Sequence, residues 1–428
     1  MTTETTGQRN KKGPFYGYYL VAISFLFMLL SYGSGSFVFS LFVNPLQSAF
    51  GWGRAQVMVG FTIFFITQGL VSPLVGRLVD RFGPRPVIPL GAVAMGLGFL
   101  LVSRMSDLPL FYAGYVIIGA GSAAMGIVPC SAFVSNWFRR RRGIAVGVMA
   151  AGMGAGGLVM APAVAQLIQT YGWRAAYLSM AIIICVVTIP LSLALVRTRP
   201  SDMGLHPDGD EAKDATPGAS TSTDLDRQGL SLRQAWKTAA IYLLGVSFFV
   251  SGFSNTGALH APVPFLEDIG FPTATAAAAL GTLGLGSATG KVFFGWLCDR
   301  MPPRRAAAIG LGLQLAGIGV LLTIHANSPL WLIWVYALLL GFGIGSWLPT
   351  MSVLVSSTFG LACYASIFGV IAFLESAGTS LGPLFAGVMF DATGTFYHAF
   401  VTFALLYAIA IPAVLLVKRP SQQEAPNT

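Results

Sequence analysis

Two formally charged residues, Lys291 and Glu375, stand deep inside apolar runs of this 428-residue chain, where a charge is worth keeping only for chemistry or structure. Lys291 precedes Asp299 by eight residues, which is about 12 Å along a helix. That depth approaches the middle of a hydrocarbon core about 30 Å thick, where inserting a lysine costs roughly 2.5–3.5 kcal/mol. A cation held there serves an anion, either a substrate or a neighbouring carboxylate such as Glu375. Glu375 lies about eleven residues into its own run, and apolar surroundings favour its protonated form. It is a candidate proton carrier, with a structural hydrogen bond or a pair with Lys291 as the alternatives. Asn255 and His260 share another run, five residues and so about 140° apart on a helix. His260 precedes Pro262 and Pro264, near the end of the run, where imidazole titrates close to neutral pH. Tyr32, Gln68 and Trp347 are candidate cavity liners, although such groups also bond and pack between helices.

Other chemistries find no residues to carry them. No HExxH motif occurs, and no aspartates pair within the apolar runs, so a membrane-embedded enzyme is a poor fit. Cys130, Cys185, Cys298 and Cys363 stand singly as small apolar residues, which gives no metal site. The Gly-rich run 281–290 lacks the order of a phosphate loop and reads as helix packing. No cofactor is implied.

The elements that must position these residues follow from composition. Hydrophobic residues make up 55% of the chain and charged residues 10%, against about 25% charged in a soluble protein. Twelve helices of about 20 residues each would take a little over half the chain, matching the apolar fraction. Apolar runs fall at 18–43, 55–78, 85–103, 109–134, 143–168 and 174–196, then at 238–264, 274–297, 305–325, 329–355, 363–389 and 396–417. Helices are the default, since an open sheet would strand backbone groups in lipid. The chain is therefore expected as an all-α membrane protein of twelve spans. The first run follows a short basic tail with Arg9, Lys11 and Lys12 and is long enough to span, unlike a signal-peptide core. One long polar stretch, 197–237, reads as a solvated linker between two units, 1–196 and 238–428. Of the 25 Lys and Arg residues, 21 fall in the two tails, the linker and the loops on the same side. The positive-inside rule puts that side, with both termini, in the cytoplasm. It also accounts for the net charge of +9 without a nucleic-acid partner.

The two units echo each other at an offset of about 219–223 residues. Gly76-Arg77-Leu78-Val79-Asp80-Arg81 before Arg85 recurs as Gly295-Trp296-Leu297-Cys298-Asp299-Arg300 before Arg304. Pro45, Pro129 and Pro162 recur as Pro264, Pro349 and Pro383. A parallel repeat of six helices resembles the major facilitator superfamily. Its signature between helices two and three is matched by Gly76, Asp80, Arg81, Gly83 and Arg85. The resemblance implies a conformational latch in which Arg81 and Arg85 fix Asp80, repeated around Asp299 and Arg300. The second copy has Met301-Pro302 where Phe82-Gly83 stands in the first, which makes a weaker latch the expectation.

A narrower resemblance lies at the start of helix five. The segment from Trp137 through Arg139–Arg142 to Gly147, followed by Ala150-Ala151-Gly152, is similar to the motif of monocarboxylate transporters and their oxalate/formate relatives. Small residues over 150–157 would allow close helix packing. That family holds the substrate carboxylate with an arginine in helix eight, and Lys291 occupies its place here. Lysine offers a point charge where arginine offers a planar fork. The family's aspartate one turn earlier is replaced by Ser287, so Glu375 is the expected substitute for proton coupling.

The resemblance implies a secondary transporter of small organic monocarboxylate anions with protons, in the plasma (inner) membrane and as a monomer. An oxalate/formate-type antiporter is the alternative. A proton-driven exporter of apolar compounds comes next, and a transporter-like sensor is a further possibility.

Overall fold

The computed structural model describes residues 15–209 and 229–418. The basic tail with Arg9, Lys11 and Lys12, most of the polar linker (210–228) and the residues after Lys418 lie outside the described residues. Ten of its helices are long and apolar enough to cross a membrane. One of these, Arg142–Leu195, runs for 54 residues and contains two spans, because Gly172 at φ 81° reverses the chain within it. A further helix, Thr273–Arg300, has the length at 28 residues, but its Gly and Thr content and Lys291 make it less apolar. The twelve expected spans are thus all present. Their outer faces carry large apolar side chains in the open, such as Leu158 at 79% and Leu285 at 71% exposure. Hydrocarbon, not water, suits such a surface.

The first and fourth span of each half are broken, which hydropathy did not register. Span one is Tyr16–Tyr32, a π-turn at Gly33–Phe37, and Phe39–Phe50. Span four is Leu108–Met125 and Ile127–Trp137 across Gly126. Span seven is Ala239–His260 and Pro262–Asp268, and span ten is Trp331–Ile344 and Trp347–Phe359. In spans one, four and ten the break falls on glycine or serine, which disturb helix geometry without making a run polar, and in span seven it falls on Ala261 before Pro262. Prolines account for three of the four restarts. Pro129, Pro264 and Pro349 all sit in the first turn of a second segment, where the missing N–H has no intrahelical partner to lose.

Spans two (Arg54–Phe82) and eleven (Tyr364–Thr393) pack across the halves, as do spans five and eight (Thr273–Arg300). Both contacts need glycine at the end that carries the basic loops. A side chain at Gly76 would strike the Ala365 carbonyl, and one at Gly143 the Gly295 carbonyl. Along the same stripe of span eight the gap then opens. Ala288 lies 3.9 Å from where a Gly154 side chain would start, and Gly284 and Gly281 have nothing within 4 Å. The halves are zipped at the basic end and parted at the other. Small residues in span five also admit span one, since Gly152 and Gly156 lie against the carbonyls of Phe25 and Leu29.

Candidate central binding site

At the level where the halves begin to part, a pocket lies between them. Tyr32 and Gln68 line it from one half, and Trp347 and Glu375 from the other. The three expected cavity liners, Tyr32, Gln68 and Trp347, are therefore gathered at one place with Glu375, the candidate proton carrier. The N-terminal side is preorganised by hydrogen bonds. Tyr32 donates its hydroxyl to Gln68 Oε1 at 3.4 Å, Gln68 Nε2 donates to Ser122 Oγ at 2.8 Å, and Ser122 and Ser31 share a bond of 2.8 Å. On the other side Thr379 donates to Glu375 Oε1 at 3.0 Å, leaving its second oxygen for a ligand or proton. Ser72, Met351 and Ser376 also line the pocket. They escaped sequence reading because one serine or methionine in a span is usually a packing residue.

Lys291 is 7% exposed and lies where spans five and eight separate, its carbonyl against Gly147. Its ammonium donates to Ser287 Oγ at 2.8 Å, one turn toward the parted end. An ammonium has three donors, so this bond leaves capacity for an anion. Among the described residues Lys291 and Glu375 form no ion pair with each other; each bonds a hydroxyl on its own helix. Lys291 does not line the Tyr32–Glu375 pocket in this conformation. Asn255 stands apart too. It accepts from Tyr407 at 2.7 Å and donates to Ser251 at 3.3 Å, so its amide is engaged with span twelve and its own turn. His260 closes the first segment of span seven, and its side chain lies outside the described residues.

The aspartates of the repeated loop bond differently from expectation. Asp80 accepts backbone N–H groups of Ala365 at 3.1 Å and Ser366 at 2.7 Å, at the start of span eleven in the other half. Arg85 instead donates to the Leu193 carbonyl at 2.8 Å, and Arg81 lies over the Phe82 ring at 5.2 Å. A helix N-terminus offers unpaired donors and a positive dipole end, which outcompetes an exposed arginine for the carboxylate. Asp299 repeats the arrangement on Gly143 at 2.6 Å and Ile144 at 2.9 Å, at the start of span five. These bonds are as short as those of the first copy, so the Met301-Pro302 departure does not loosen them. Gly83 turns at φ 81°, whereas Met301 and Pro302 make the same corner at negative φ. Ser135 and Ser352, 3.3 Å apart, and the Ser352–Tyr364 bond of 2.8 Å add a polar contact between the halves.

Two six-span units, related by a repeat and enclosing polar groups between them, define a polytopic membrane transporter. The chain belongs to the Major Facilitator Superfamily, whose family model matches residues 23–383 and 243–428. It is 28% identical over 363 residues to monocarboxylate transporter 13 of Bos taurus, across 85% of this chain and 80% of that one. It is 26% identical over 312 residues to the oxalate:formate antiporter of Oxalobacter formigenes, across 72% and 69%. The solved proton:xylose symporter XylE superposes with a TM-score of 0.73 at 17% identity, covering 94% of this chain and 96% of that one. The family, the fold and the resemblance to monocarboxylate and oxalate/formate carriers are all borne out.

Proposed function

We propose that the chain is a secondary active transporter of small organic monocarboxylate anions, driven by protons. Its halves, 1–196 and 238–428, rock about the central site, with the linker 197–237 joining them on the cytoplasmic side. The concentration of Lys and Arg at one end supports placing that end and both termini in the cytoplasm of a cell that carries the protein in its plasma membrane. The single observation that carries the reading is Lys291, a buried cation bonded only through a neutral serine among the described residues. A small carboxylate entering from the parted side would meet its unused donors. Glu375, on span eleven of the same half, supplies the protonatable group, and Asp80 and Asp299 act as latches that hold the basic end shut.

Calorimetry on purified protein tests the anion site. Lys291→Ala should abolish carboxylate binding, while Lys291→Arg should retain part of it with altered preference. Unchanged affinity in Lys291→Ala would overturn the assignment. Similarity to an oxalate:formate antiporter favours exchange as a second reading. An exchanger requires substrate on both sides, so uptake into empty vesicles under a proton gradient separates the two. The acidic Glu375 on span eleven supports the proton-driven reading.

A further inference from the structure

A spacious cleft lies away from the central site. It opens at the basic end between span one, the start of span five and the end of span eight, and measures about 1540 Å³ including its open mouth. Its walls are apolar, with Val21, Phe25, Phe138 and Val148 among them. Its rim is cationic. Arg141 donates to the Tyr18 hydroxyl at 2.9 Å, and the Arg300 guanidinium lies 4.7 Å from the centre of the Trp296 ring. Asp299 also lines the cleft, but its two oxygens are taken by Gly143 and Ile144. Tyr18 and Trp296, 47% and 38% exposed, mark the level of a membrane interface.

Such a site suits an amphiphile with an anionic head, and a small carboxylate would leave the apolar walls unused. We propose that an anionic phospholipid of the leaflet at the basic end binds here and favours the state in which that end is closed. Its phosphodiester is held between Arg141 and Arg300, and an acyl chain lies against Phe25, Phe138 and Val148. State dependence follows from placement. Arg141 belongs to one half and Arg300 to the other, and the Asp299 bonds to span five keep them on one cleft. Parting of the basic end would carry the two guanidiniums away from each other. This last step rests on the rocking motion proposed above, whereas the lipid preference does not, so the two can fail separately.

The full-length protein in nanodiscs of phosphatidylcholine, with and without phosphatidylglycerol, provides the test. Native mass spectrometry should find phosphatidylglycerol retained preferentially. Arg141→Gln with Arg300→Gln should weaken that preference roughly tenfold or more, as expected for lost charge-assisted bonds. Arg141→Lys with Arg300→Lys should retain much of it, which separates loss of the site from loss of the fold. Equal retention by the glutamine variant overturns the site. Displacement by glycerol 3-phosphate, a headgroup without chains, would reveal a free-phosphate site and also overturn it. Spin labels in the 51–53 and 269–272 loops should move apart when phosphatidylglycerol is added; unchanged distances overturn the conformational effect.

Discussion

Glu375 illustrates how a single side chain separates two mechanisms. Mid-span, it has a hydroxyl donor on one oxygen and no ion pair to Lys291, and the proposed cycle requires it to gain and lose a proton. Glu375→Gln imitates the protonated state. Uptake should then no longer respond to a pH gradient, while exchange of labelled for unlabelled substrate persists. The melting temperature should stay close to that of the unaltered protein, because no buried pair is broken. Were the pair present, removing one partner would cost about 3–5 kcal/mol, and neutralising Lys291 as well would restore stability. Thermal melts of the single and double variants read this directly. The positions of Lys291 and Glu375 were legible in the sequence, since a charge inside an apolar run stands out. Their immediate partners Ser287 and Thr379 are one turn away and could be read from helical spacing. The partner of Asn255 could not, because Tyr407 lies 152 residues on and only packing brings it there.

Spans were legible where apolarity alone defines them, and their edges fall within a few residues of the hydrophobic runs, apart from span one, which continues to Phe50. What hydropathy missed is geometric: the π-turn at Gly33–Phe37, the break at Gly126 and the use of Asp80 on another helix's backbone. Those features depend on φ/ψ and on long-range approach, which composition does not encode. The approach itself is testable. Gly143→Leu would place a branched side chain against the Gly295 carbonyl, and overpacking of this kind costs typically about 1–3 kcal/mol. Only the closed basic end bears that cost, so the equilibrium should move toward the state open there. Distances between spin labels in the 51–53 and 269–272 loops should shorten. Asp80→Ala and Asp299→Ala act on the same equilibrium from the other direction of cause, by removing bonds. Each carboxylate accepts two backbone N–H groups, and a hydrogen bond to a charged group contributes about 1.5–3 kcal/mol, with the exposed Asp80 toward the lower figure. Either change should shift the distance distribution partially and the double change more completely. Identical distributions in the double variant would mean that the bonds do not hold the end shut.

For the whole molecule, the question is what net charge crosses the membrane in one cycle. On the proposed reading Lys291 carries the fixed positive charge of the site and returns with the protein, so it balances a bound anion only while that anion is bound. If the carboxylate travels with one proton on Glu375, substrate and proton together are neutral. A membrane potential then exerts no net force on the transported pair. A carboxylate moving alone would carry one charge, and 100 mV would bias its distribution by about 2.3 kcal/mol. At about 1.4 kcal/mol per tenfold change, that amounts to a ratio of roughly 50 between the two sides. Proteoliposomes can impose a potassium-diffusion potential with pH held equal, or a pH gradient with the potential clamped at zero. Substrate should accumulate under an inside-alkaline gradient and stay level under potential alone. In Glu375→Gln the response to pH should vanish without a response to potential taking its place, because that variant still crosses loaded with a neutral side chain only in exchange. Accumulation driven by an inside-positive potential in the unaltered protein would show that the anion moves uncompensated, and one-to-one proton coupling through Glu375 would fall.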